Sequence, residues 1–191
     1  MNNQNITLEE IDRHLEEIRK ANNSFGARLS RFFKVVLQLS ILPLLVYLVF
    51  AFLLGISQVQ HDSMQPNFSE GDFVIFNRLE TDYSFGDVVI VFSANQEEMI
   101  MQRVIGVPGD TVQITTDQKI LINGEVIRES WKSEGILTQG EAYLPITLNE
   151  NEYFVLSDNR DDALDSRNSE VGNIQKDDIL GIVVYRFKMS K

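Results

Sequence analysis

The hydrophobic pattern divides the chain into three stretches. In residues 7–21, Leu8, Ile11, Leu15 and Ile18 recur at heptad spacing and predict a short helix with one apolar face. Thr7, with Glu10 three residues later, has the form of a capping box. Glu9 with Arg13, and Glu16 with Lys20, are helix-supporting pairs in the favourable order. Such a helix lies on a membrane surface or offers a short seam to a helical partner, and two heptads are few for a seam. Asn22, Asn23, Ser24 and Gly26 then break the pattern. The second stretch, Val35 to Ile56, is apolar apart from Gln38, Ser40 and Pro43. At about 20 residues it matches the hydrocarbon core of a bilayer. Pro43 and Ser40 are tolerated in a membrane helix, where neighbouring groups satisfy the backbone. A cleavable signal peptide fits less well, because the run is too long and starts far into the chain.

From Ser57 onward the pattern predicts β structure. Phe73–Phe76 and Val88–Phe92 are short β-branched or aromatic runs, each introduced by Gly-Asp. Lys119 to Ile127 reads as strand, turn, strand, with Asn123-Gly124 suited to a type I′ hairpin. Tyr153–Leu156 and Ile179–Phe187 supply two more strands, and residues 129–150 read as a polar excursion from the sheet. The expected fold is mainly β: one transmembrane helix followed by an antiparallel β domain. The expected segments are 1–34, 35–56 and 57–191.

Charge fixes an orientation. Arg28, Arg31 and Lys34 precede the apolar run, and acids predominate after it. The positive-inside rule then puts residues 1–34 in the cytoplasm and residues 57–191 outside, at the cell membrane. The net charge of −11 argues against a nucleic-acid partner. The chain has no cysteine and two histidines, which excludes disulfides, thiolate chemistry and a histidine-rich metal site. No metal or cofactor is expected.

Three stretches carry candidate chemistry: Asp62-Ser63-Met64-Gln65-Pro66, then Gln102 to Asp110, then Ser157 to Arg167. In this order, behind an N-terminal anchor and with Gly71-Asp72 and Gly86-Asp87 between them, they resemble the bacterial type I signal peptidases. The resemblance covers roughly residues 35–187. It implies an extracytoplasmic β domain in which a serine–lysine dyad cuts signal peptides from secreted precursors. Ser63 takes the nucleophile position. His61, Asp62, Met64 and Pro66 would border the substrate groove. Asp165 and Arg167 match a structural ion pair that supports the site. Asp158, Asn159 and Arg160 match the start of that motif, and Arg103 follows the position of the base.

That position holds Gln102. A serine hydroxyl is a poor nucleophile until a base accepts its proton. A lysine can serve once burial lowers its pKa from about 10.4. An amide hydrogen-bonds but does not accept that proton, and losing a general base costs on the order of 10²–10⁴ in rate. Ala163 stands where the family has the serine that orients the lysine. His61 and Asp62 stand where small or hydroxylated residues precede the nucleophile. Asp62 would set negative charge beside a developing oxyanion, whereas His61 would donate to it. His61 is also a substitute-base candidate, since residues 61 and 63 of an extended strand share a face, roughly 6.5–7 Å apart. A lysine from elsewhere, such as Lys119 or Lys132, matches no motif.

Two functions compete. The first is an inactive or impaired signal-peptidase-like protein that binds extended segments of secreted precursors. Proteins of that kind assist pilus assembly in Gram-positive bacteria, which implies pilin subunits and the sortase-dependent machinery as partners. The second is an active signal peptidase using Ser63 with a non-standard base. An inactivated engineered variant is disfavoured because several positions depart together. Self-cleaving repressor relatives are disfavoured by the anchor, and the acidic Asp158–Arg167 segment lacks the spacing of a calcium loop.

Overall fold

A single helix, α1 (Leu8–Leu53), takes up the N-terminal part of the chain. The computed structural model describes residues 8–93, 98–131, 138–161 and 164–189, the side chains of 8–12, 17–18 and 21–27 excepted. The predicted helix and the predicted apolar helix are therefore one element, and the expected break at Asn22–Gly26 does not occur. Asn, Ser and Gly lose at most about 1 kcal/mol each against Ala inside a helix, and good helix formers on both sides carry it across. Thr7 of the capping box lies outside the described residues, and Leu15 is exposed. Within Arg28–Leu53 an 18-residue apolar window has a mean hydropathy of 2.5, and the protein buries none of that window. Among the described residues this is the one helix long and apolar enough to cross a membrane.

The helix stops at Leu53, short of Ile56, because Leu54–Gln58 forms strand β1. Apolarity alone does not distinguish the last helical turn from a following strand. Pairing does: Gly55 sits opposite Phe76, and a Cβ on Gly55 would stand 2.1 Å from the Phe76 ring.

Residues 51–191 form a separate compact unit of eleven described strands. They are β1, β2 (Phe73–Asn77), β3 (Val88–Ser93), β4 (Glu98–Gly106), β5 (Thr111–Ile114), β6 (Ile120–Ile122), β7 (Glu125–Val126), β8 (Ile146–Thr147), β9 (Glu152–Leu156), β10 (Ile174–Gln175) and β11 (Ile179–Phe187). Seven make a sheet in the order β1-β2-β11-β3-β4-β9-β10, and four make a second, β7-β6-β5-β8. Every pairing is antiparallel. The fold is mainly antiparallel β with an N-terminal apolar helix, as expected.

Alternation along β3 and β4 fills both faces of the large sheet. Val89, Val91, Ile100 and Val104 enter one core with Tyr153 and Val155. Val88, Ile90 and Met101 enter another with Val59, Met64, Val74 and Phe76. A third core, around Val112, Ile114, Phe154 and Leu156, serves the small sheet. The β6–β7 turn has Asn123 at φ 53° and Gly124 at φ 84°, the left-handed pair that a type I′ turn requires. The excursion at 129–150 contains a 3-10 turn (Gly140–Tyr143) and β8, which joins β5. On the outer face of β1, β2 and β11, Ile56, Ile75 and Tyr185 share one apolar cross-strand row, and Phe73 and Phe187 share the next with Gln58.

Candidate active site

The Ser63 segment is not an extended strand. Asp62–Met64 form a single 3-10 turn, entered from an extended His61 and followed by a cis Gln65–Pro66 bond. The same-face argument for residues 61 and 63 therefore does not apply. Met64 is fully buried in the core of Val74, Ile90 and Met101, and this anchor leaves Ser63 half-buried at the surface. The backbone is clamped from the third motif. Asn159 N–H donates to the Ser63 carbonyl at 2.8 Å, and Asn159 Nδ2 donates to the Asp62 carbonyl at 3.3 Å. Asn67 Nδ2 donates to Asp158 Oδ2 at 2.8 Å and to the Trp131 carbonyl at 2.6 Å.

Gln102 lies on β4 opposite Val89 and is 1% exposed. Its Nε2 donates to the Leu164 carbonyl at 2.8 Å, and its Oε1 accepts from Ser157 Oγ at 3.3 Å. Both ends of the amide are occupied by partners other than Ser63. Among the described residues, no side chain hydrogen-bonds the Ser63 hydroxyl. Ala163 lies outside the described residues, as does Lys132. Lys119 pairs with Asp117 on the surface at 2.5 Å.

Three buried ion pairs brace this arrangement. Arg103 is bidentate to Asp158, with both N–O distances 2.6 Å, donates to the Gly86 carbonyl, and stacks on Trp131 at 4.7 Å. Arg167 is bidentate to Asp165 at 2.8 and 2.7 Å, and Asp165 also accepts from the Ser157 N–H at 3.1 Å. Arg160 is buried and pairs with Glu129, while its carbonyl accepts from Arg167. The planar guanidinium suits such bidentate recognition.

Ser63 borders a narrow slot. One wall is Ser57–His61, the other Met99–Met101, and Val74 and Ile90 line it between them. Its free volume of about 20 Å³ admits little more than one water, so a side chain entering it must be small. β1 is the edge strand of its sheet, and β9 pairs with β4 only from Arg103 onward. Two unpaired strand edges thus flank the slot, the arrangement that receives an extended peptide by strand addition.

Of the four residues expected to border the groove, His61 lines the slot. Met64 lies beneath it in the core, and Asp62 and Pro66 line a separate polar hollow with Asp72 and Arg186. Asp62 is exposed and accepts from Gln65 Nε2, so it turns away from the slot. His61 is exposed, with Nε2 3.4 Å from Glu98 Oε1. Sequence reasoning missed Ser157, Asn67, Trp131 and the slot walls other than His61. Only Ser157, the first residue of the third motif, carried a signal.

An N-terminal apolar helix followed by an antiparallel β unit with a serine beside a narrow slot defines the class of fold. The family model for signal peptidase, peptidase S26, matches residues 32–188, and the chain belongs to that family. A signal peptidase I of Bacillus licheniformis is 33% identical over 166 residues, covering 81% of this chain and 88% of its own length. Signal peptidase I P of Bacillus subtilis subsp. natto is 31% identical over 149 residues, covering 73% and 80%. A crystal structure of a signal peptidase I from Enterococcus faecalis V583 aligns with a TM-score of 0.46 at 27% identity, over 54% of this chain and 97% of that one.

Proposed function

We propose that this chain is a membrane-anchored signal-peptidase-like protein that holds extended segments of secreted precursors and cleaves them very poorly or not at all. The carrying observation is Gln102: where a base would sit, a buried amide is committed at both ends, to Leu164 and Ser157. Among the described residues, no base then stands hydrogen-bonded to Ser63 to take its proton. The slot keeps its binding features, two open strand edges and a small apolar space.

Residues 1–34 are cytoplasmic in this proposal, α1 crosses the membrane up to Leu53, and the β domain works outside. Arg28, Arg31 and Lys34 at the start of the apolar segment support that orientation. The apolar outer face with Ile56, Tyr185 and Phe187 supports work at a lipid surface. Pilin subunits are the proposed clients.

A second reading is an active signal peptidase of narrow range. Retention of Ser63 on the slot supports it, as do relatives named signal peptidase I. One experiment separates the two. The full-length protein in detergent is offered secreted precursors, pilins included, beside Ser63→Ala. Binding without serine-dependent cleavage is the expected result. Cleavage that Ser63→Ala abolishes would establish the second reading.

A further inference from the structure

The His61–Glu98 contact joins the two walls of the slot. His61 ends the Ser57–His61 wall, and Glu98 precedes Met99 on the other. Among the described residues, His61 is the one basic side chain within ion-pair distance of Glu98. The contact is weakly held. At 3.4 Å it is longer than a charge-assisted hydrogen bond of about 2.7–2.9 Å. The side chains are 54% and 30% exposed, and surface pairs of this kind contribute little. A peptide strand entering between the walls meets this contact and competes for it.

Among the described residues, those that line the slot include no carboxylate. Glu98, next to Met99 and in contact with His61, sets a carboxylate at the end of the slot. A basic head group that an extended peptide carries past the end of the slot meets a carboxylate there, without its side chain entering the narrow space. The surrounding unit is strongly acidic, with 23 acids against 11 bases beyond Ile56, which also favours a cationic segment.

We propose that Glu98 is a specificity-determining residue of the slot, selecting extended segments that carry a lysine or arginine level with it. The incoming cation replaces His61 as the partner of Glu98. This rests on the slot being a peptide site, and the test separates the two claims.

Labelled peptides of small residues, with Lys, Gln or Glu placed at each position in turn, are titrated into the full-length chain in a non-ionic detergent. At one position Lys is expected to bind roughly fivefold tighter than Gln, and Glu more weakly than either. Added salt reduces the ratio. Glu98→Gln brings it to about one, Glu98→Asp keeps part of it, and His61→Ala raises it by removing the internal competitor. If the Gln peptides bind but the charge series is flat, or if the Lys preference survives in Glu98→Gln, the role of Glu98 is overturned and the slot stands. If no peptide of the series binds, the slot reading falls and this inference with it.

Discussion

Ser157 Oγ donates to Gln102 Oε1 at 3.3 Å, joining the end of β9 to β4 with both residues buried. Truncating Gln102 leaves a fully buried hydroxyl without its acceptor. An unsatisfied buried polar group costs about 1–3 kcal/mol, whereas replacing both partners by apolar groups is close to neutral. Gln102→Met is therefore expected to destabilise by that amount, and Gln102→Met with Ser157→Ala to recover most of the loss. Chemical denaturation followed by the single tryptophan, Trp131, measures it. Additive losses in the double variant would show that the two side chains are not coupled.

The same partners bear on restoring a base. The Leu164 carbonyl and the Ser157 hydroxyl that serve the amide would also favour an ammonium, while burial favours the neutral amine. Gln102→Lys is expected to raise Ser63-dependent precursor cleavage on the order of 10²–10⁴-fold over the unaltered chain. The base is the neutral amine, so activity is present above the lysine's folded pKa and lost as pH falls through it. Adding Ser157→Ala removes one partner of the ammonium and moves the profile to lower pH. A rate that does not change with pH would mean that the new lysine is not the base.

Local chemistry explains what the sequence revealed of this fold. The Asn123-Gly124 turn needs positive φ at two consecutive residues, and the residue pair itself states that. β11 is apolar and aromatic apart from Gly181 and Arg186, and its observed ends coincide with the expected ones. β1 was hidden because Leu54 and Ile56 continue the apolar run of the helix, and only pairing with β2 marks the change. The slot was hidden for a related reason. Its walls, Ser57–His61 and Met99–Met101, are some 40 residues apart in the sequence and meet only through the sheet order. Ser63 and Gln102 were found through motif resemblance, but the commitment of Gln102 to Ser157 and Leu164 needed coordinates.

Asp158 serves two neighbours at once. It neutralises Arg103 and accepts from Asn67, which lies just past the Ser63 turn. Removing one partner of a buried ion pair costs about 3–5 kcal/mol. Asp158→Ala is expected to lose stability on that scale and to free the 62–68 segment. Limited proteolysis should show faster cutting there than in the unaltered protein. Asn67→Ala should loosen the segment with a much smaller loss of stability, because the Arg103–Asp158 pair remains. Equal proteolysis in all three proteins would mean that burial of Met64 and the Asn159 contacts hold the turn without Asp158.

The last prediction concerns acid. Burial raises the Asp72 carboxyl, but the N–H groups of Ser69 and Met189 and the Arg186 guanidinium outweigh it and hold it below the usual value. The folded protein thus binds this proton less readily than the unfolded chain. Stability from Asp72 is present above the unfolded carboxylate pKa of about 3.9 and is lost as pH falls through the folded value. Glu152 is held low as well, chiefly by the Asn149 N–H, so the slope in acid has more than one source. Asp72→Asn removes one of them. Denaturation midpoints taken from neutral pH down to strong acid should fall less steeply for Asp72→Asn than for the unaltered chain. The variant should also be the less stable of the two at neutral pH, where Arg186 has lost its charged partner. Parallel curves would mean that Asp72 titrates alike in the folded and unfolded chain.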